Sequence, residues 1–157
     1  MSKILSISAV ALRPANVRGE TGSRGERLAA EYLEANGYRL VVANFKVPIG
    51  RNTRGVAVTG EIDIIAIDED KLCFVEVKTK TSDEFASPLA AVNLRKQRQI
   101  TRTARVYRRI FGLSEMPYRF DVVTVLLAAN ANPKMELTKG FWLESKFRKR
   151  AWTGDIY

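Results

Sequence analysis

The chain of 157 residues has no histidine, which excludes a Ser-His-Asp triad, a histidine general base and a histidine-ligated metal. Its one cysteine, Cys73, allows neither an internal disulfide nor a cysteine zinc site. Acid is scarce, with 17 Asp and Glu against 26 Lys and Arg, for a formal net charge of +9. Long apolar runs are missing too. The stretch from Val122 to Ala129 is short and interrupted by Thr124, well below the roughly 18 residues that a membrane span needs. Any catalysis is left to carboxylates, lysines, arginines, tyrosines or hydroxyls, and donors of that kind suit an oxygen-loving cation.

What is present fits one domain with a single core: 46% of residues are hydrophobic and 27% charged. The basic excess favours a polyanionic partner, either nucleic acid or an anionic surface. Near the N-terminus, Lys3 precedes the stretch Ile4 to Leu12, but Ser6 and Ser8 dilute it, so it reads as a loose leader rather than a signal peptide. With the unpaired thiol, this gives the expectation of a cytoplasmic protein. Residues 1–22 read as a flexible lead-in, 23–152 as one domain and 153–157 as a tail.

Ser23-x-x-Glu26 fits a capping box, Leu28, Ala29, Tyr32 and Leu33 recur at helical spacing, and Gly37 supplies the stop. Tyr38 to Phe45 predicts a strand, and Lys46 to Gly60 a basic loop or long hairpin connection. Glu61 to Ile67 and Leu72 to Lys78 predict an antiparallel pair across the turn Asp68-Glu69-Asp70-Lys71. Ser87-Pro88 sets an N-cap, Leu94 to Phe111 is helical and closed by Gly112, and Phe120 to Leu127 predicts an interior strand. Strand and helix stay open between Met135 and Trp152. The order helix, three strands, helix, strand predicts an α/β fold, a mixed sheet flanked by helices.

Charge interrupts two of the apolar strands. Strict alternation puts Glu61, Asp63, Ile65 and Ile67 on one face and Ile62, Ile64 and Ala66 on the other; Leu72, Phe74, Glu76 and Lys78 share a face of the next strand. A carboxylate pressed against a covered sheet is costly unless it is paired or binds metal. If Asp63 and Glu76 converge to about 4 Å, they repel by roughly 4 kcal/mol at an effective dielectric near 20, so a cation belongs between them. Lys78 can supply one charge, whereas Mg²⁺ (or Mn²⁺) relieves both carboxylates and takes phosphate oxygens as further ligands. Lys78 then orients an attacking water or steadies charge developing on phosphorus.

Asp63 followed by Glu76-Val77-Lys78 resembles the signature of the PD-(D/E)xK nuclease superfamily, which includes restriction enzymes and Holliday-junction resolvases. Gly25-Glu26, Ala29 or Ala30 with Tyr32-Leu33, Gly60-Glu61-Ile62-Asp63, Phe74-Val75-Glu76-Val77-Lys78, Lys96-Gln97 and Arg119-Phe120-Asp121-Val122-Val123 together look like the YraN family of predicted bacterial endonucleases. This likeness covers about residues 22 to 127. It implies a restriction-endonuclease-like fold with Asp63 and Glu76 as metal ligands, Lys78 as the catalytic lysine and Glu26 as a first-helix acid completing the site. Ile62 stands where the superfamily motif has proline. Resolvase relatives often pair, which is compatible with a homodimer.

Plainer readings stand beside these. Glu26 can be only the acid of a capping box, Glu76 and Lys78 a solvated ion pair, and Glu61 the exposed start of a strand. Asp121 can be the structural partner of an arginine, and Gln97 a supporting polar residue. On the long helix Arg95, Arg98, Arg102, Arg105 and Arg109 fall at spacings of three and four, with no acid from Ala86 to Ser114. With the loop residues Arg51 and Arg54 and the cluster Lys146 to Arg150, they predict contact with the phosphates of nucleic acid, DNA above all; the plainer alternative is a solvated helix face. The expected function is a metal-dependent endonuclease acting on DNA, with structured or branched substrates in view and no membrane partner. The alternatives are a non-catalytic nucleic-acid-binding module on a degenerate nuclease fold and, more weakly, an anionic-surface or protein-interaction domain.

Overall fold

Five strands and two helices organise residues 22–81 and 92–147, the part of the chain that this computed structural model describes. Helix α1 spans Gly22–Ala35, strand β1 Arg39–Arg51, β2 Ala57–Asp68, β3 Lys71–Lys80, helix α2 Leu94–Ile110, β4 Tyr118–Leu126 and β5 Lys134–Trp142, followed by a 3₁₀ turn at Glu144–Phe147. The expectations for the lead-in before Gly22, the Ser87-Pro88 cap, the basic residues Arg148 to Arg150 and the tail lie outside the described residues. Among the described residues, no helix is long and apolar enough to cross a membrane.

The strands lie in the order β1-β2-β3-β4-β5, antiparallel except for the parallel pair β3 and β4. A parallel neighbour needs a long crossover, and the connection between β3 and β4 holds α2. The interior strands carry near-continuous apolar runs because both faces are covered. Ile100, Ala104 and Tyr107 of α2 pack with Ile65, Ile67, Leu72, Phe74, Phe120 and Val122 on one face. Ala29 and Leu33 of α1 pack with Ile64, Ala66, Cys73, Val75, Val77, Val123 and Val125 on the other. Burial pushes the Cys73 thiol up to about 12, so it is an inert core group at neutral pH. This is the α/β mixed sheet flanked by helices, and it is consistent with a restriction-endonuclease-like fold.

Several boundaries move. Ser23 falls inside α1, which begins by Gly22, so the capping-box geometry does not hold for Glu26. Of the two readings for Lys46 to Gly60, the hairpin holds: β1 and β2 pair as far as Arg51 and Ala57. Met135 to Trp142 belongs to a fifth strand. Strict alternation also fails in β2. Ile62 packs with Ile65 and Ile67 against α2, while Ile64 and Ala66 face α1, so the side-chain register slips by one at Asp63. The same slip occurs in β1, where Val42 and Phe45 both pack toward α2 and Asn44 between them takes φ 53°. Ala43 pairs with Ile64 and Phe45 with Ile62, which puts Asn44 opposite Asp63. Left-handed backbone is tolerated by asparagine better than by most side-chain-bearing residues, and it turns the strand over at this rung.

Two close approaches seat the helices. A Cβ on Gly25 would lie 1.9 Å from Thr79 Oγ1, so only glycine lets the first turn of α1 rest on the end of β3. A Cβ on Gly60 would lie 2.0 Å from Thr103 Oγ1 and 2.7 Å from Ile49 Cγ2, which sets β2 tightly under α2. On the α1 face, Asp121 is fully buried and meets Arg119 Nε (2.7 Å) and Nη2 (2.9 Å), the Tyr38 hydroxyl (3.1 Å) and the Gly140 N–H (2.9 Å). Arg119 is thus the structural partner that the sequence suggested for Asp121, and it also binds Asp68 at 2.8 Å. Overpacking at Gly60 costs stability: Gly60→Ala is expected to lower it by about 1–3 kcal/mol. In urea unfolding, Thr103→Ala added to Gly60→Ala should recover part of that loss, since the nearest atom that the new methyl meets, Thr103 Oγ1, is gone while Ile49 Cγ2 remains.

Candidate functional site

The β2–β3 ladder runs from Asp68↔Lys71 to Ile64↔Val75 and stops there. At the next rung the Asp63 side chain, not its backbone, meets the neighbouring strand: Oδ2 accepts the Val77 N–H at 2.8 Å. The strands part around two carboxyl groups, Asp63 at 9% exposure and Glu76 at 2%. Lys78, on the same face of β3 as Glu76, places Nζ 3.1 Å from Glu76 Oε1. A second ammonium arrives from α2, with Lys96 Nζ 3.7 Å from the same oxygen. Asn93 caps that helix by accepting the Lys96 N–H at 3.0 Å, which fixes where the first turn begins and so where Lys96 stands. Glu26, one residue beyond the glycine seated on Thr79, completes the group from the opposite face and takes a side-chain hydrogen bond from Asn44.

Electrostatics follow from this crowding. Burial, and then the charge of Asp63, push the Glu76 carboxyl up to about 7 against the favourable pull of Lys96 and Lys78. Burial also raises Asp63, partly offset by the Val77 N–H and by Lys96. Burial and the Asp63 charge raise Glu26 as well. Glu76 Oε2 is buried and meets no donor among the described residues. When both carboxyls are ionised, two like charges repel in a buried site while Glu76 Oε2 has no donor, and the pair calls for a proton or a cation.

The donor set fits a hard divalent ion in that gap. Two carboxylates are the usual protein share for Mg²⁺, with water and phosphate oxygens taking the remaining positions. Among the described residues, no three Asp, Glu or Cys side chains form a cage by themselves. Asp63 and Glu76 would therefore hold the ion jointly with substrate and solvent.

The remaining sequence candidates divide. Glu61 makes a cross-strand pair with Lys46 at 3.6 Å beside the site. Gln97 is a scaffold residue at the start of α2: Nε2 donates to Val92 O at 2.8 Å, and Oε1 accepts from Lys146 at 3.2 Å. The arginine stripe is not uniformly unrelieved. Glu144, far along the chain, pairs with Arg105 at 2.7 Å and Arg108 at 3.6 Å, and accepts a short hydrogen bond from Tyr118. Arg102 donates to Ile49 O at 2.6 Å, Arg51 donates to Gly55 O at 2.6 Å, and Arg98 lies over the Phe147 ring. Arg54, Arg95 and Arg109 are exposed. Sequence reasoning left two residues out of the site. Lys96 was legible as part of the Lys96-Gln97 segment of the family likeness, but not as a partner of Glu76. Asn44 carried no local signal, because its role comes from the strand opposite.

Fold and geometry together define an α/β protein with a buried carboxylate–lysine site where the central strands of a mixed sheet separate. The family model described as "Uncharacterised protein family UPF0102" matches residues 25–125. A UPF0102 protein of Chlorobium chlorochromatii is 37% identical over 139 residues, covering 85% of this chain and 99% of that one. Another, from Caldanaerobacter subterraneus, is 41% identical over 106 residues, covering 68% and 79%. The chain belongs to the UPF0102 family, the YraN family that its sequence resembles.

The pair sets a pH dependence. Unfolded, Glu76 titrates at the ordinary 4.5; folded, it titrates at about 7. Between those values the unfolded chain has lost a proton that the folded chain keeps. The stabilising contribution is therefore complete below the lower value and gone above the upper one. With divalent metal chelated, stability should fall on the order of 3 kcal/mol relative to Glu76→Gln as pH rises across that window. Parallel thermal melts of wild type and Glu76→Gln between pH 4 and 8, roughly the span of the two values, measure the difference.

Proposed function

We propose that this chain is a metal-dependent phosphodiester hydrolase acting on DNA, an endonuclease for which structured or branched molecules are the substrates of interest. The observation that carries this reading is the orphaned Glu76 Oε2 beside Asp63, with Lys78 Nζ 3.1 Å from the other Glu76 oxygen. Asp63 and Glu76 would hold Mg²⁺ or Mn²⁺. Bound there, the ion would neutralise both carboxylates and polarise the scissile phosphate. Lys78, with its tip partly exposed, donates a hydrogen bond to the attacking water or to a phosphate oxygen as charge builds in the transition state. Lys96 holds the Glu76 carboxylate in place from the other side. Glu26, its carboxyl raised by burial, stands near Asp63 as an acid–base group at the rim. The basic surface of α2 and the β1–β2 hairpin holds the sugar-phosphate backbone.

A specific feature supports a second reading. Lys78 and Lys96 both lie within 4 Å of Glu76 Oε1, so most of the carboxylate charge is answered without any metal. On that reading the chain binds nucleic acid and does not cut it, and the carboxylate cluster is structural.

One set of measurements separates the two. Duplex, flap, junction and single-stranded DNA are incubated with the purified protein in Mg²⁺ and in Mn²⁺, beside a calorimetric titration with Mn²⁺. Hydrolysis expects cleavage that drops by at least about a hundredfold in both Asp63→Asn and Lys78→Ala, with Mn²⁺ binding lost in Asp63→Asn and retained in Lys78→Ala. Salt-sensitive DNA binding with no cleavage and no Mn²⁺ heat establishes the binding module instead.

A further inference from the structure

The two-stranded extension of β1 and β2 is a built element that the hydrolase reading uses only as part of a general basic surface. The ladder from Lys46↔Glu61 to Arg51↔Ala57 lies beyond the last β2–β3 rung at Ile64, so residues 46–61 form a ribbon that, among the described residues, has no third strand. Two-stranded ribbons are marginal in water unless something supports them. This one is supported at both ends. Toward its base, Arg102 and Gln99 of α2 donate to Ile49 O (2.6 Å) and Thr59 O (3.1 Å), and Gly60 is packed on Thr103. At its tip, Asn52 Oδ1 accepts the N–H groups of Arg54 (2.9 Å) and Val56 (3.0 Å), Asn52 N–H donates to Val56 O (2.9 Å), and Arg51 donates to Gly55 O (2.6 Å).

That much internal bonding fixes a tip that buries nothing. Val56 is 59% exposed there, and Arg54 is exposed beside it. The ribbon carries three basic residues, Lys46, Arg51 and Arg54, and one acid, Glu61, which pairs with Lys46 at its base (3.6 Å), so the positive charge left over is that of Arg51 and Arg54 toward the tip. Its surface is therefore cationic with an apolar point, and its root is Asp63. Six residues of strand separate Asp63 from Ala57, about 20 Å at 3.4 Å per residue.

We propose that this ribbon enters the major groove of double-stranded DNA, so that the substrate carries a duplex arm of about six base pairs or more on one side of the phosphate held at Asp63 and Glu76. The inference rests on the hydrolase reading only for what sits at the ribbon's root. The major groove of B-form DNA, about 12 Å wide, admits a two-stranded ribbon as it stands, whereas the minor groove, about 6 Å wide, takes strands only where the duplex is bent or widened. A-form RNA closes off the same route, because its major groove is deep and narrow. Arg51 and Arg54 flank the tip where phosphates of the groove walls pass, and Val56 meets the thymine-methyl side of base edges.

Fluorescence anisotropy with the full chain and metal chelated tests this, using a DNA duplex of about 20 base pairs, an RNA duplex of the same sequence and the single DNA strand. The variants are Arg54→Ala and Val56→Ser, singly and together, each at an exposed tip position and checked for folding by circular dichroism. Wild type should prefer DNA duplex to RNA duplex. The double variant should bind DNA duplex about five- to tenfold more weakly with single-strand binding unchanged, and Arg54→Ala should reduce the salt slope by about 0.9. Trimming the duplex below about six base pairs beyond a junction should weaken wild type and leave the double variant unaffected. A double variant that binds duplex as wild type does, or a wild type that holds RNA duplex equally well, overturns the ribbon proposal and leaves the hydrolase reading standing. A wild type that binds no DNA removes both.

Discussion

Two carboxyl groups buried at the rung where β2 and β3 separate are the constraint around which the rest of the site is arranged. Placing Asp63 and Glu76 together out of water is costly, and the sheet meets part of that cost locally through the Val77 N–H and the ammonium groups of Lys78 and Lys96. One oxygen, Glu76 Oε2, is left without a donor among the described residues. That residual demand is one that a proton or a cation would meet.

Asp121 shows what a structural carboxylate looks like in the same protein. It is as deeply buried as Glu76, but both its oxygens are satisfied, by Arg119, Tyr38 and the Gly140 N–H. Arg119 goes on to bind Asp68, which in turn meets Lys139 at 3.0 Å, so that network is saturated and its acids need nothing further. Burial alone therefore does not set Glu76 apart from a scaffold acid. The unmet hydrogen-bonding capacity does.

The packing explains why the pocket keeps its shape. Gly25 allows α1 to rest on Thr79 and carry Glu26 in from one face, while Gly60 lets β2 sit under Thr103 as α2 brings Lys96 from the other. Asn44 turns β1 over opposite Asp63 so that both strands change their side-chain register at the same rung and the apolar residues on either side still reach their cores. On the outside, Glu144 and Tyr118 hold Arg105 and Arg108, and Arg102 is tied to the hairpin. The positive surface is thus partly scaffold. Its exposed remainder includes Arg54, Arg95 and Arg109.

Much of this was legible in the chain of letters. Hydrophobic periodicity placed both helices and the strands through Asp63, Glu76 and Phe120, because each signal is local and repeats within a few residues. The charged interruptions at Asp63, Glu76 and Lys78 were visible because they stand in runs otherwise apolar. The slip at Asp63, Asn44 opposite it, Lys96 beside Glu76 and Glu144 under the arginines were not visible. Each depends on a partner distant in sequence, and periodicity carries no information about what lies across a strand or beneath a helix. The segment from Lys46 to Gly60 read as a basic loop or a long hairpin connection because its glycines and proline are turn signals; the hairpin is what forms, and its bracing from Arg102 and Gln99 exists only once α2 is laid over it. Sequence by itself determined most of the helical and extended segments, the fifth strand excepted, and which acids stand among apolar neighbours, since backbone preference and side-chain polarity act over a few positions. Tertiary structure decided which of those acids meet and which are left unsatisfied, because burial and hydrogen-bond partners are set by the packing of distant segments.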